Sequence, residues 1–145
     1  MKIYFSQIYL EGEDTTFLVT NTLIHRLSNQ LDKLNKKINH YEKLFKTDDF
    51  SMIFVISATR KNEVLTVKGP TTKSKNKEIY FSLFIPYQEV NSFTEQTSYV
   101  LDYIAEGIIS VLNKYKTDPS GVKEAVEAVK KMIMDDPEKY QKWTK

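Results

Sequence analysis

The sequence predicts an α+β fold: a four-stranded, mostly antiparallel sheet packed by one long N-terminal helix and by C-terminal helices, in the order β-α-β-β-β-α-α-(α). Three observations predict it. Apolar residues between 24 and 45 recur at helical spacing, four segments alternate or run apolar as strands do, and the last third returns to a helical period. A chain of 145 residues that is 41% hydrophobic and 28% charged can bury a core of its own, so residues 1–145 are read as a single domain.

The first element is "KIYFSQIYL", residues 2–10. Tyr4, Ile8 and Leu10 fall on one face of a regular strand, and Ile3, Phe5 and Tyr9 on the other. Apolar groups on both faces predict a strand covered on both sides. The segment "EGED" at 11–14 reads as a turn, and Asp14, Thr15 or Thr16 is placed to cap the helix that follows.

That helix carries the strongest periodicity in the chain. Ile24, Leu27, Leu31, Leu34, Ile38, Tyr41 and Phe45 are spaced alternately three and four apart, and Phe17, Leu18 and Leu23 extend the pattern backwards. A helix over about 16–46 would be on the order of 45 Å long. Its stripe has two destinations: across the sheet of its own domain, or partly in a coiled-coil seam, which leaves monomer and homodimer both open.

Strands are expected next over 48–57, with Phe50, Met52, Phe54 and Ile56 against Ile53 and Val55, then over 63–68 and over 78–87. Short connections between them predict an antiparallel meander. The stretch "KGPTTKSKNK", 68–77, is expected as the hairpin tip between the last two. Further helices are expected from about 94 to 116, capped by Ser92 or Thr94, and then from Asp118-Pro119 and Asp136-Pro137, each an N-cap followed by proline in the first turn. Tyr140 and Trp143 fall on the last, short helix. The doubled acids Asp48-Asp49 and Asp135-Asp136 read as turns and caps rather than metal ligands.

Composition excludes several kinds of chemistry. There is no cysteine, hence no disulfide, thiol nucleophile or cysteine zinc site. His25 and His40 lie fifteen residues apart on the predicted helix, roughly 22 Å along its axis, too far to share a metal or a reaction centre. Gly12, Gly69, Gly107 and Gly121 are scattered singly, so neither a phosphate loop nor a dinucleotide fingerprint is present. No enzyme activity, cofactor or metal is expected. The N-terminal segment lacks the continuous apolar core of a signal peptide, and no apolar run approaches a membrane span, so a cytoplasmic protein without a membrane partner is expected.

Charge is uneven although the net value is only +2. Arg60, Lys61, Lys68, Lys73, Lys75 and Lys77 face only Glu63 within 60–77, a local +5, whereas 87–118 carries a local −3. With the nearby tyrosines this selects Arg60, Lys61, Lys73, Lys75, Lys77, Tyr80 and Tyr87 as candidate partner-binding residues. A basic groove with aromatic platforms also suits single-stranded nucleic acid, and lysines at loop tips also serve simply to discourage edge pairing. If the tip is functional, an acidic protein surface is its expected contact. A small-molecule pocket between the long helix and the sheet is a third alternative.

The outline as a whole has a counterpart. A short Lys/Asn/Ile-rich chain that begins on a strand ("MKIYFSQIYL"), continues with a long helix, a hairpin-rich sheet ("FSMIFVIS", "EVLTV", "EIYFSLFIPY") and C-terminal helices resembles the immunity proteins of bacterial polymorphic-toxin and contact-dependent inhibition systems. The resemblance implies a bacterial, non-enzymatic antitoxin that binds a cognate toxin domain tightly and blocks its active site or an essential surface. Such families share no fold and no catalytic residues to transfer. Nuclease-directed members are often acidic, and this chain departs from them in being slightly basic.

Overall fold

The computed structural model describes residues 1–6, 8–10, 17–61, 63–88 and 92–141. The expected caps Asp14, Thr15 and Thr16, the turn at 11–14 and Trp143 lie outside them. The elements are β1 (Lys2–Phe5), β2 (Ile8–Leu10), β3 (Phe17–Val19), α1 (Asn21–Asp32), α2 (Asn39–Phe45), β4 (Ser51–Thr59), β5 (Thr66–Lys73), a 3-10 turn (Ser74–Asn76), β6 (Glu78–Pro86), α3 (Phe93–Lys114), α4 (Val122–Asp135) and α5 (Pro137–Gln141).

The fold is α+β, and the sheet is mixed. Its six strands follow the order β3-β2-β4-β6-β5, with β1 beside β2 on the same edge of β4. The expected antiparallel meander is corrected. β1, β2 and β6 all run parallel to β4, and among the described residues the antiparallel pairs are at the two edges, β2 with β3 and β5 with β6. β5 does not form a hairpin with β4: the chain leaves β4, runs down the outer edge as β5, and returns inside it as β6. Alternation fixes which side chains share a face, but it does not say which strands pair.

The long helix is also corrected. Phe17–Val19 is an edge strand, and the remainder breaks into α1 and α2. The break is local. Leu34 and Asn35 N–H groups donate to Leu31 and Asp32 carbonyls, tightening the last turn, and Asn35 takes a left-handed φ of 53°. Asparagine tolerates that conformation where most side chains do not. Ile38 is then extended before α2 starts. The stripe nevertheless faces inward: Ile24, Leu27, Leu31, Ile38, Tyr41 and Phe45 are buried and Leu34 packs against them. The bend folds α2 back, so that the Tyr41 ring meets Phe45, Phe50 and Tyr115 at 6.0, 6.1 and 5.2 Å.

Strand β1–β2 departs from the two-sided reading through one extra residue. Phe5 pairs with Phe54, and Tyr9 with Ser57, so four steps on one strand match three on the other. Between them the Ser6 hydroxyl replaces a ladder carbonyl, accepting the Ile56 N–H at 3.1 Å. This bulge reverses the phase, placing Ile8 on the same buried face as Ile3. The expected grouping of Ile8 with Tyr4 is therefore wrong: among the described side chains, Ile3 and Ile8 share the buried face and Tyr4 lies on the other.

On the helix side the aromatic row Phe5–Phe54–Phe81 stacks at 5.8 and 5.9 Å, and Tyr115 closes on Phe81 at 6.3 Å. α3 approaches β6 closely because Gly107 has no side chain: a Cβ there would lie 2.8 Å from both Leu83 methyl groups. Ser92 caps α3 by accepting the Glu95 N–H, as expected. Asp118 does not cap α4. Its carboxylate takes the N–H and hydroxyl of Ser120 in a turn, which holds its pKa below the usual carboxylate value, and α4 starts after Gly121 at φ 86°. Asp136 does accept the Lys139 N–H at the start of α5, and Tyr140 is buried there.

Candidate partner-binding face

Among the described residues, the sheet has a covered side and an open side. Met52, Phe54, Ile56 and Ala58 of β4 and Ile79, Phe81, Leu83 and Ile85 of β6 are buried in the core shared with the helices. Their neighbours point away. Pairing aligns Tyr4, Ile53, Tyr80 and Thr71 in one row across the open side, then Val55, Ser82 and Lys68, then Ser57, Phe84 and Thr66. Tyr4 keeps 43% and Val55 40% of its surface in water. Val55 is a β-branched side chain on a strand paired on both sides, where burial is the usual fate, and Tyr4 lies in the neighbouring strand.

Cations flank this apolar centre. The Lys73 ammonium sits 4.8 Å above the Tyr80 ring and that of Lys68 sits 5.2 Å above Phe84. Lys68 and Lys73 are five apart and would face opposite sides in a regular strand. A second bulge puts them on one side: Lys68 pairs with Ser82 and Thr71 with Tyr80, so three steps match two. Gly69 makes the bulge feasible. Its φ is +127°, and a Cβ would lie 2.8 Å from the Tyr80 carbonyl oxygen. Glu78 lies at this end, with the exposed Asp48 and Asp49 just before β4; its carboxylate accepts the Tyr80 hydroxyl at 3.1 Å, and desolvation, then this bond, raises the phenol's pKa.

The seven residues singled out from sequence divide between the two ends of the sheet. Lys73, Lys75, Lys77 and Tyr80 gather where β5 turns into β6. The tip itself is shorter than expected, since 68–73 belongs to β5 and only Ser74–Lys77 turns. Lys77 adopts a left-handed φ of 54°, and its carbonyl receives the Ser51 N–H. Arg60, Lys61 and Tyr87 lie at the opposite end, beyond the Thr59–Pro86 pair, where the Arg60 guanidinium stands 4.8 Å over the Tyr87 ring. Lys61 donates its N–H to the Thr59 hydroxyl. Tyr87, just past β6, lies seven residue steps from Tyr80, roughly 23 Å along the strand direction. The basic segment 60–77 is thus two clusters joined by Lys68. Tyr4, Ile53, Val55, Lys68 and Phe84 were not singled out, because their significance depends on knowing that one side of the sheet is bare.

A family model described as immunity protein 44 matches residues 1–135. The chain belongs to the immunity protein 44 family. The match spans every described element up to α4, including the whole open side of the sheet. No curated protein and no solved structure matches the chain.

Elsewhere in this family member several polar groups pair with one another or with the backbone. Tyr41 and Tyr115 share a hydrogen bond of 2.8 Å beneath the stacked His40 ring, and burial raises the Tyr41 pKa further above its ordinary value. The Tyr99 hydroxyl donates to the Pro86 carbonyl at 2.6 Å; burial, then hydrogen bonding with Tyr103, pushes its pKa up to about 12. Between α3 and α4 a cavity of about 410 Å³ is lined by Asp102, Ala105, Glu106, Lys123, Val126 and Glu127. Lys130 bridges Asp102 and Glu127 at 2.7 and 3.3 Å. On the side of the expected pocket between the first helix and the sheet, Leu23, Leu27 and Leu31 are at most 2% exposed and belong to the core. Among the described residues, no helix is long and apolar enough to cross a membrane, and no group of three His, Asp or Glu is placed to hold a metal.

Proposed function

We propose that the chain neutralises a cognate bacterial toxin domain by tight, non-enzymatic binding in the cytoplasm. The observation that carries this reading is the bare side of the sheet: Tyr4, Ile53, Val55, Tyr80 and Phe84 form an apolar and aromatic surface of the kind that protein interfaces cover. Membership of the immunity protein 44 family supports a toxin as the partner. Lys73 and Tyr80 join this surface directly. Lys75 and Lys77 extend it at one end, and Arg60, Lys61 and Tyr87 at the other.

The test is co-expression with the toxin domain encoded beside the chain's gene, followed by titration of the purified pair. Growth should be rescued, and toxin activity should fall linearly to zero at one chain per toxin. Persistent toxicity with the chain in excess would refute the reading. Complete inactivation by a small fraction of an equivalent would mean that the chain acts as an enzyme.

A further inference from the structure

We infer that the open side of the sheet is a docking surface for an acidic protein face with an apolar centre, read by the ring-mounted cations Lys68 and Lys73. This rests on the toxin-neutralising reading above and specifies the partner's chemistry at that surface. The argument begins with size. Four strand columns, β1–β2, β4, β6 and β5, at about 4.8 Å spacing and up to nine residues long give a footprint of about 500–600 Å². That is of the order of the roughly 800 Å² each partner contributes to a standard interface.

Charge selects the occupant. Lys2, Lys68 and Lys73 lie around the apolar rows, with Lys75 and Lys77 just beyond; against these five cations stand Glu78, which is engaged by Tyr80, and the exposed Asp48 and Asp49 before β4. The helix side is close to balanced: Lys123 joins Asp102, Glu106 and Glu127 around its cavity, and Lys130 bridges two of those acids. A chain of net charge +2 is therefore locally basic on the bare face. Such a face steers an acidic partner into place and repels a basic one. A second copy of this chain would add a second basic flank to the same interface, which argues against self-association there.

The rings add discrimination. Both lysines are exposed, but an ammonium resting over Tyr80 or Phe84 is positioned by the ring, so a carboxylate arriving above it gains a pair without ordering a free lysine. Tyr4, Ile53 and Val55 supply the area that excludes water around those pairs. Placement of the toxin's own carboxylates over this surface sets the inference apart from active-site blockade by a nucleic-acid mimic, which would require acids on this chain's contacting face.

The experiment uses the full chain and a catalytically inactive form of the neighbouring toxin domain, with affinity and rates measured at 50 and 300 mM NaCl. Lys68→Glu with Lys73→Glu should weaken binding at least 100-fold, chiefly through slower association, and the wild-type affinity should fall as salt rises. Lys68→Gln with Lys73→Gln should lose about tenfold, and Glu106→Lys on the helix side should change nothing. Circular dichroism and thermal unfolding check that each variant is folded, and the Gln pair serves if the Glu pair is not. Wild-type binding that neither pair alters would overturn the inference while leaving the toxin reading intact. No binding by the wild-type chain would overturn both. Salt-dependent binding of a 20-nucleotide single strand that both pairs abolish, with toxin affinity unmoved, would assign the surface to nucleic acid instead.

Discussion

Gly69→Ala is the sharpest stability test, because one position sets the register of the basic face. Its φ of +127° is a region that side chains enter only with strain, and the added Cβ would stand 2.8 Å from the Tyr80 carbonyl oxygen. Backbone strain of this kind costs about 1–3 kcal/mol. The clash adds to it, since that oxygen belongs to the backbone of a central strand and yields only by disturbing the sheet. A loss of about 2–4 kcal/mol is expected. For 145 residues the unfolding entropy is about 0.3 kcal/mol per kelvin, so the melting temperature should fall by about 7–13 °C. Urea unfolding at 25 °C gives the free energy directly, with an unchanged slope showing that the unfolded state is not the cause. Gly107→Ala is the reference. There the crowding falls on the Leu83 methyl groups rather than on backbone. Overpacking of about 1–3 kcal/mol is offset by about 1 kcal/mol of helix propensity. A loss below about 0.5 kcal/mol for Gly69→Ala, or one smaller than for Gly107→Ala, would refute the account of the bulge.

Tyr41→Phe and Tyr115→Phe should each cost about 1 kcal/mol by leaving the other hydroxyl without its 2.8 Å partner, while the double change should cost little more than either alone; additive losses in urea unfolding would deny the pairing. Stability should decline as pH rises through 10 towards 12, because the Tyr99 pKa is higher folded, about 12, than unfolded, and the contribution is complete only below the unfolded value. Tyr41, raised in the same direction, contributes to the same decline. Urea midpoints measured against pH should show a shallower decline for Tyr99→Phe, and an identical slope would contradict the shift. Asn35→Val should cost roughly 1–2 kcal/mol through its left-handed φ, whereas Asn35→Gly should be near neutral. Increased helicity and stability in Asn35→Val would mean that α1 and α2 fuse readily and that the break is not set at this residue.

The burial pattern was the legible part of the fold. Every stripe position from Ile24 to Phe45 faces inward, wholly or in part, and the alternating residues of β4 and β6 divide between the two faces as their spacing predicts. What spacing does not carry is continuity and pairing. A three-and-four spacing survives an interruption when the loop advances the chain by a compatible amount, as Asn35 to Ile38 does here. Parallel pairing of β4 with β6 leaves no mark in either strand, because β5 between them in sequence reads like the middle strand of a meander. Even so, the buried β4 and β6 segments are the most apolar, and the exposed β5 is the most polar. That contrast is the trace of central and edge positions.

The candidate face was half legible for a related reason. Lysines and tyrosines near 60–87 were conspicuous as residues, yet their grouping depends on two bulges that shift phase by one residue each. Before the first bulge, Tyr4 belongs to the open side; after it, Ile8 belongs to the core. Read without the bulge, both faces of that strand look covered and no bare side exists to find. The second bulge brings Lys68 into line with Lys73, and without it the two would lie on opposite sides of the sheet. The sequence does mark both sites: a serine able to replace a carbonyl in the first strand, and Gly69-Pro70 within the fifth. Glycine inside a strand pattern signals a bulge or a close backbone approach, and here it is both. Taking Gly69-Pro70 as the beginning of a turn ended the strand early and moved Lys73 from a sheet face to a loop tip. The chemistry of the surface follows from that correction. A lysine at a tip is a mobile, solvated charge, whereas a lysine held over Tyr80 in a strand is a positioned one, and only the second can read the arrangement of carboxylates on a partner.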